Sequence, residues 1–112
     1  MNLQNPTTVT TNLLSQLTSQ VTANAYRAID GTVYHNTTSK PIWITLSIDV
    51  KSLTGLVTVY SDATNTPSTV IATEQNNTAV IIRMVTTVPI LPGNYFSVSV
   101  TNSDLVYWIE TT

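Results

Sequence analysis

The chain has 112 residues, only 9% of them charged, and a formal net charge of −2. That length suits one domain around one core. It carries no cysteine, which excludes a disulfide framework and a thiolate metal site, and its four scattered cations, Arg27, Lys40, Lys51 and Arg83, make no basic patch for nucleic-acid phosphates.

Threonine makes up about a fifth of the residues, with many Ser, Asn and Val beside it. β-branched side chains of this kind fit a pleated surface. No run approaches the roughly 20 apolar residues of a membrane span. The start, MNLQNPTTVTTNLL, lacks the basic and apolar regions of a signal peptide.

Residues 1–24 contain neither an aromatic nor a charged side chain. Such a segment reads as an extended N-terminal arm that orders on a partner. Its apolar contacts would come from Leu3, Val9, Leu13, Leu14, Leu17 and Val21. Leu14, Leu17 and Val21 also share one side of a short helix, but Thr and Asn weaken it.

From Tyr26 onward the signals are β. Asp30-Gly31 is a turn dipeptide. TVYHN (32–36) reads as a short strand, and NTTSKP (36–41) as a loop. IWITLSIDV (42–50) alternates, with Ile42, Ile44, Leu46, Ile48 and Val50 on one face and Trp43, Thr45, Ser47 and Asp49 on the other. LVTVYSD (56–62) follows, then the loop ATNTPS. TVIATEQ (69–75) and AVIIRMVTTV (79–88) flank a turn at Asn76-Asn77. Pro89 and Pro92 bracket a stiff link. YFSVSVT (95–101) and the closing run Leu105–Ile109 complete the series.

Seven or eight strands at this spacing, with no sustained helical pattern, predict an all-β antiparallel β-sandwich. A jelly roll is the first expectation and an immunoglobulin-like sandwich the second. The expected division is an arm over 1–24 and a β-sandwich knob over 25–112.

The closing run Leu105-Val106-Tyr107-Trp108-Ile109 is apolar at every position. A strand at a surface should show one polar face. One of its faces is therefore expected in the sandwich core and the other at a neighbouring subunit. Trp108, Tyr107, Val106, Ile109 and Trp43 are the candidate core or interface residues. Tyr60 and Tyr95, with Trp43, Tyr107 and Trp108, could alternatively form a sugar-stacking platform.

Nothing in the chain reads as catalytic machinery. His35 is the single histidine, and no nucleophile elbow, P-loop, zinc-protease or dinucleotide-binding motif is present. His35 is expected near a strand end, hydrogen-bonded to a loop. The acids Asp30, Asp49, Asp62, Glu74, Asp104 and Glu110 are scattered, and no cofactor is implied. Asn36-Thr37-Thr38 and Asn76-Asn77-Thr78 match the glycosylation acceptor, as expected by chance in a chain this rich in Asn and Thr.

Two stretches carry a resemblance. The first is RAIDGTVYHNTTSKPIWITLSI, whose entry is Tyr34, Asn36, Thr37, Thr38, Lys40 and Pro41. The second is VPILPGNYFSVSV with DLVYWIE, which supplies Val88, Pro89, Pro92, Gly93, Tyr95, Trp108 and Glu110. Together they resemble small β-modules on the exterior of tailed bacteriophages, over about residues 27–110. Such modules occur as capsid decoration (cement) proteins and at tail-fibre tips, typically as trimers. The resemblance implies a structural protein of the virion exterior without enzymatic activity. It would form a homotrimer whose arm grips the major capsid protein. Met1 lies only about 25 residues before the module, which favours a free-standing decoration protein over a fibre. The alternative is a receptor-binding knob at a fibre tip, for which a host glycan would be the ligand.

Overall fold

The computed structural model describes residues 21–23 and 27–112, with side chains from Arg27 onward. Among the described residues eight strands run in order: β1 (Val21–Ala23), β2 (Tyr34–His35), β3 (Ile42–Val50), β4 (Leu56–Asp62), β5 (Val70–Gln75), β6 (Ile82–Ile90), β7 (Tyr95–Thr101) and β8 (Ser103–Thr111). They form two antiparallel four-stranded sheets, ordered β1-β8-β3-β6 and β2-β7-β4-β5.

The pairings identify the connectivity. β1 pairs with β8, β2 with β7, β3 with β6 and β4 with β5. This nesting is a long antiparallel hairpin rolled up, which is a jelly roll. The immunoglobulin order is excluded by the same pairings.

The core follows from strand alternation. Ile42, Ile44, Leu46, Ile48 and Val50 of β3 face inward against Val57 and Val59 of β4. Val88, Ile90, Phe96, Val98 and Trp108 complete the buried set. Trp108 is the largest fully buried side chain, and its ring meets Tyr34 edge-on at 6.1 Å.

Several strand ends differ from the sequence expectation: β2 is only Tyr34–His35, β5 begins at Val70, β6 begins at Ile82, and β8 extends over Ser103–Thr111. The sixth strand runs through Pro89 to Ile90 instead of ending at Val88. Its position explains why: β6 is an edge strand, so the missing proline N–H leaves no partner unpaired. Residues 21–23, inside the expected arm, pair as β1 on the free edge of β8.

A repeat within the fold ties the two sheets together. Asn36 opens the link from β2 to β3, and Asn76 opens the link from β5 to β6. Both side chains are fully buried. The Asn36 amide donates to the carbonyls of Lys40 and Ile90, at 3.0 and 2.9 Å. The Asn76 amide donates to the carbonyls of Val80 and Val50, at 2.7 and 2.8 Å. Each Asn oxygen accepts from the backbone N–H and the hydroxyl of the threonine two residues on, Thr38 or Thr78. Each threonine hydroxyl then contacts the carbonyl two residues further, at Lys40 or Val80. In both halves an isoleucine six positions after the Asn begins a nine-residue strand.

The Asn-x-Thr pattern is thus a loop staple used twice. Side-chain amides satisfy carbonyls that would otherwise be buried without partners. With both amide hydrogens committed and no exposure, neither Asn is available to a glycosyl group.

Candidate interaction surfaces

β8 answers why a strand is apolar at every position. Opposite β3 its register runs Ser47↔Tyr107 and then Ile48↔Leu105. Val106 is the extra residue of a bulge. The bulge puts Leu105 and Trp108, three positions apart, on the same inward side. Trp108 is fully buried and donates its indole N–H to Glu110 Oε1 at 3.1 Å. Trp108 therefore lies in the core of its own chain. Tyr107 and Ile109 face outward, half-buried, and Val106 is exposed at the bulge.

Trp43 also lies on the outward side, 49% exposed, across from Pro89 on β6 and Thr111 on β8. The outer face of this sheet changes character along the strands. At one end Arg83 donates to Asp49 at 2.8 and 3.0 Å. That guanidinium holds the Asp49 carboxyl below the usual carboxylate range. In the middle, the Thr45 and Thr87 hydroxyls meet at 2.9 Å. Val85 stands exposed between these polar rows, and Trp43 and Pro89 form the far end. Ser47, flanked by Val85 and Tyr107, is fully buried, and its hydroxyl has no partner among the described residues.

The five candidate stacking aromatics do not share one surface. Trp108 is internal, while Trp43 and Tyr107 face outward from the first sheet. Tyr60 and Tyr95 sit on the second sheet, opposite Ser97 and His35 respectively. Tyr95 is already stacked, its ring 3.9 Å from that of His35 and nearly parallel to it. His35 ends β2, with Nε2 3.1 Å from the Gly93 carbonyl in the β6–β7 loop. Among the described residues no group of three or more His, Cys, Asp or Glu side chains comes together to hold a metal ion.

The flank formed by β1 and β2 is closed by a side chain that sequence reasoning did not single out. Arg27 donates to both oxygens of Glu110, at 2.6 and 3.2 Å. Its guanidinium lies over the Tyr34 ring at 4.4 Å and near Phe96 at 5.8 Å. Glu110 is only 7% exposed and also accepts from Trp108. The Tyr34 hydroxyl accepts from the Ala28 N–H at 2.6 Å. The chain leaving the N-terminal segment is therefore fastened to the core at its first described side chain. No spacing rule links residues this far apart in sequence, so nothing local announced the pair.

The opposite flank, between edge strands β5 and β6, stays open. A groove of about 310 Å³ lies there, lined by Ser61, Ile71, Val88, Pro89, Leu91 and Asn94. Ile71 reaches it because β5 bulges opposite Val59 and Tyr60.

Of the arm residues, Leu3, Val9, Leu13, Leu14 and Leu17 lie outside the described residues. Val21 begins β1, where its backbone pairs with Thr111. Comparison with known protein families, with curated proteins and with solved structures returns no match.

Proposed function

We propose that this chain is a structural protein of a tailed-phage virion, a capsid decoration protein that binds the outer capsid surface as a trimer. The observation that carries the reading is the outer face of the β1-β8-β3-β6 sheet. Val85, Val106, Tyr107 and Ile109 present apolar surface there, with Trp43 at its margin, on a sheet whose other face is already filled. Interfaces are enriched in aromatic residues and depleted of charge at their centres. In this reading the face meets neighbouring subunits.

The N-terminal segment, with Leu3, Val9, Leu13, Leu14, Leu17 and Val21, contacts the major capsid protein. Ordering such a segment costs entropy once, on binding. Three copies on one particle then multiply weak contacts through effective concentration. The role needs no catalysis and no cofactor.

The alternative is a receptor-binding knob that reads host glycans with Trp43. One experiment separates the two. Purified protein is mixed with emptied, undecorated capsids and, separately, with host cells, and bound protein is measured by sedimentation. Co-sedimentation with capsids, together with a light-scattering mass of three chains, is expected. Binding to cells without binding to capsids transfers the assignment to the receptor role.

A further inference from the structure

One end of the sandwich carries three large apolar side chains that its core does not use. Leu53 is 62% exposed, Val80 65% and Ile81 61%. Leu53 lies in the β3–β4 turn, and Val80 and Ile81 in the link from β5 to β6. The two segments are bonded to each other. The Leu53 N–H donates to the Thr78 carbonyl at 2.9 Å, and the Asn76 N–H to the Gly55 carbonyl at 3.0 Å.

Neither segment needs these residue types for its own structure. Leu53 is the middle of a three-residue turn, closed from the Thr54 N–H to the Ser52 carbonyl at 2.7 Å, and its φ is 60°. A leucine held there is strained, whereas glycine reaches the same conformation without a Cβ clash. Val80 and Ile81 stand four and five positions after Asn76. The same positions after Asn36, in the matching staple, are Lys40 and Pro41, also exposed. The staple therefore closes without an apolar pair. Clustered apolar side chains that are exposed, strained in one case and unused by the fold mark a contact surface.

The same chain carries a surface that fits this tip. The groove between β5 and β6 measures about 310 Å³, and binding pockets begin at roughly 300 Å³. Ile71, Val88, Pro89 and Leu91 are among its walls, and no charged residue lines it. One molecule cannot bring its own tip and groove together. Ile82, next to Ile81, pairs with Val50, whereas Ile90, next to Leu91, pairs with Ile42. Eight strand steps along this ladder, about 26 Å, separate the two ends. The link that carries Val80 and Ile81 is held in place by Asn76. Any tip in the groove therefore comes from another copy. Each copy supplies tip and groove in equal number, and apolar packing of the two leaves no charge buried without a partner.

We propose that the tip formed by Leu53, Val80 and Ile81 of one copy docks in the β5–β6 groove of a second copy. The contact is head-to-tail, because two different surfaces meet, and a series of such contacts either closes as a ring or runs on. It uses neither the outer face of the first sheet nor the N-terminal segment. It therefore does not depend on the decoration reading.

The absence of cysteine allows the contact to be trapped. One full chain carries Leu53→Cys and a short C-terminal tag, and a second carries Leu91→Cys. Equal amounts are mixed and oxidised, and the mixed cross-link is timed on non-reducing gels, where the tag separates the products. A decoy mixture replaces the second chain with Val33→Cys. Val33 is exposed beside β2, the far edge of the second sheet from β5. The Leu53–Leu91 product is expected to form roughly tenfold faster than the decoy, the preference that one weak contact confers. Adding Val80→Asp with Ile81→Asp to the first chain, or Ile71→Asp to the second, should return it to the decoy rate, with a thermal melt showing each chain folded. A rate equal to the decoy, or one that survives these charges in folded chains, overturns the proposal. A faster product between two Leu53→Cys chains overturns it in favour of tip against tip. The outer face of the first sheet and the N-terminal segment are unaltered throughout. Failure here thus leaves the capsid and light-scattering experiment undecided, and failure there leaves this contact standing.

Discussion

Arg27→Ala tests whether the β1–β2 flank is locked by an ion pair inside the sandwich. Arg27 donates two hydrogen bonds to a carboxylate that is 7% exposed, and its own side chain is 27% exposed. Truncation leaves Glu110 with the Trp108 indole N–H among its described partners. Breaking a buried pair by removing one member costs about 3–5 kcal/mol, because the remaining charge stays desolvated. Loss of the guanidinium from the Tyr34 ring adds roughly 0.5–2 kcal/mol. A domain of this size holds about 5–15 kcal/mol in all.

The assay is thermal and urea unfolding of Arg27→Ala, Glu110→Gln and the double variant Arg27→Met with Glu110→Gln, at one fixed protein concentration. Arg27→Ala should melt lower by more than about 10 °C. The double variant should recover much of the loss, since removing both charges together can be nearly neutral. A loss under about 1 kcal/mol for Arg27→Ala is what a surface ion pair gives. That result would refute the placement of Arg27 inside the flank.

Three further outcomes follow from named contacts. Trp108→Ala should cost roughly 3–5 kcal/mol, as for other large buried rings, and a melt unchanged from wild type would put Trp108 on the surface. Asn36→Ala and Asn76→Ala should each destabilise, by about 1–3 kcal/mol for every buried group left unpaired, while Asn77→Ala, at an exposed position, should not; equal melts for Asn76→Ala and Asn77→Ala would dismiss the staple. Asp62 accepts from the N–H groups of Thr64, Ser68 and Thr69 and from two threonine hydroxyls, which hold its carboxyl far below the ordinary carboxylate range. Because the folded value is depressed, its contribution is full above the unfolded value of 3.8 and fades as pH falls below it. Asp62→Asn should therefore flatten the acid limb of stability below about pH 4, and an acid limb identical to wild type would contradict the loop geometry.

Much of the fold was legible because alternation is a local signal. β3, β4 and β7 begin and end where the pattern of Ile42–Val50, Leu56–Asp62 and Tyr95–Thr101 places them. β8 was readable as a strand but not in its facing, since a bulge at Val106 resets the alternation and depends on a partner strand. The proline rule misled at Pro89, because whether a strand lies at an edge is a property of the sheet. Asn36 and Asn76 were visible as loop and turn residues and as glycosylation matches, but not as buried staples. The signal that would have found them is the pair itself: Asn, Thr two residues on, and an isoleucine-led strand six residues on, twice. Alternation already sets Trp43 on the polar face of its strand, whereas Trp108 lies in a run that is apolar at every position, where the bulged register is what shows its ring to be buried.

The distribution of satisfied and unsatisfied groups indicates where this molecule has surface to spare. Several of its loops are closed by hydrogen bonds within the chain: Asn36 and Asn76 each bind one carbonyl in their own sheet-crossing link and one at the end of a neighbouring strand, and Asp62 ties the β4–β5 hairpin loop. Gly55 shows how tight these turns are, since a Cβ there would lie 2.3 Å from the Lys51 carbonyl oxygen. Such loops have little freedom to adapt to a ligand, because moving them breaks buried hydrogen bonds. The two buried hydroxyls without a partner among the described residues lie elsewhere. Ser47 sits beneath the outer face of the first sheet and Ser61 in the wall of the β5–β6 groove. Both adjoin the exposed apolar residues, Val85 and Leu91 among them, that the sandwich does not cover by itself. A rigid body with stapled loops and uncovered flat surfaces is suited to docking by its sides rather than to enclosing a small molecule.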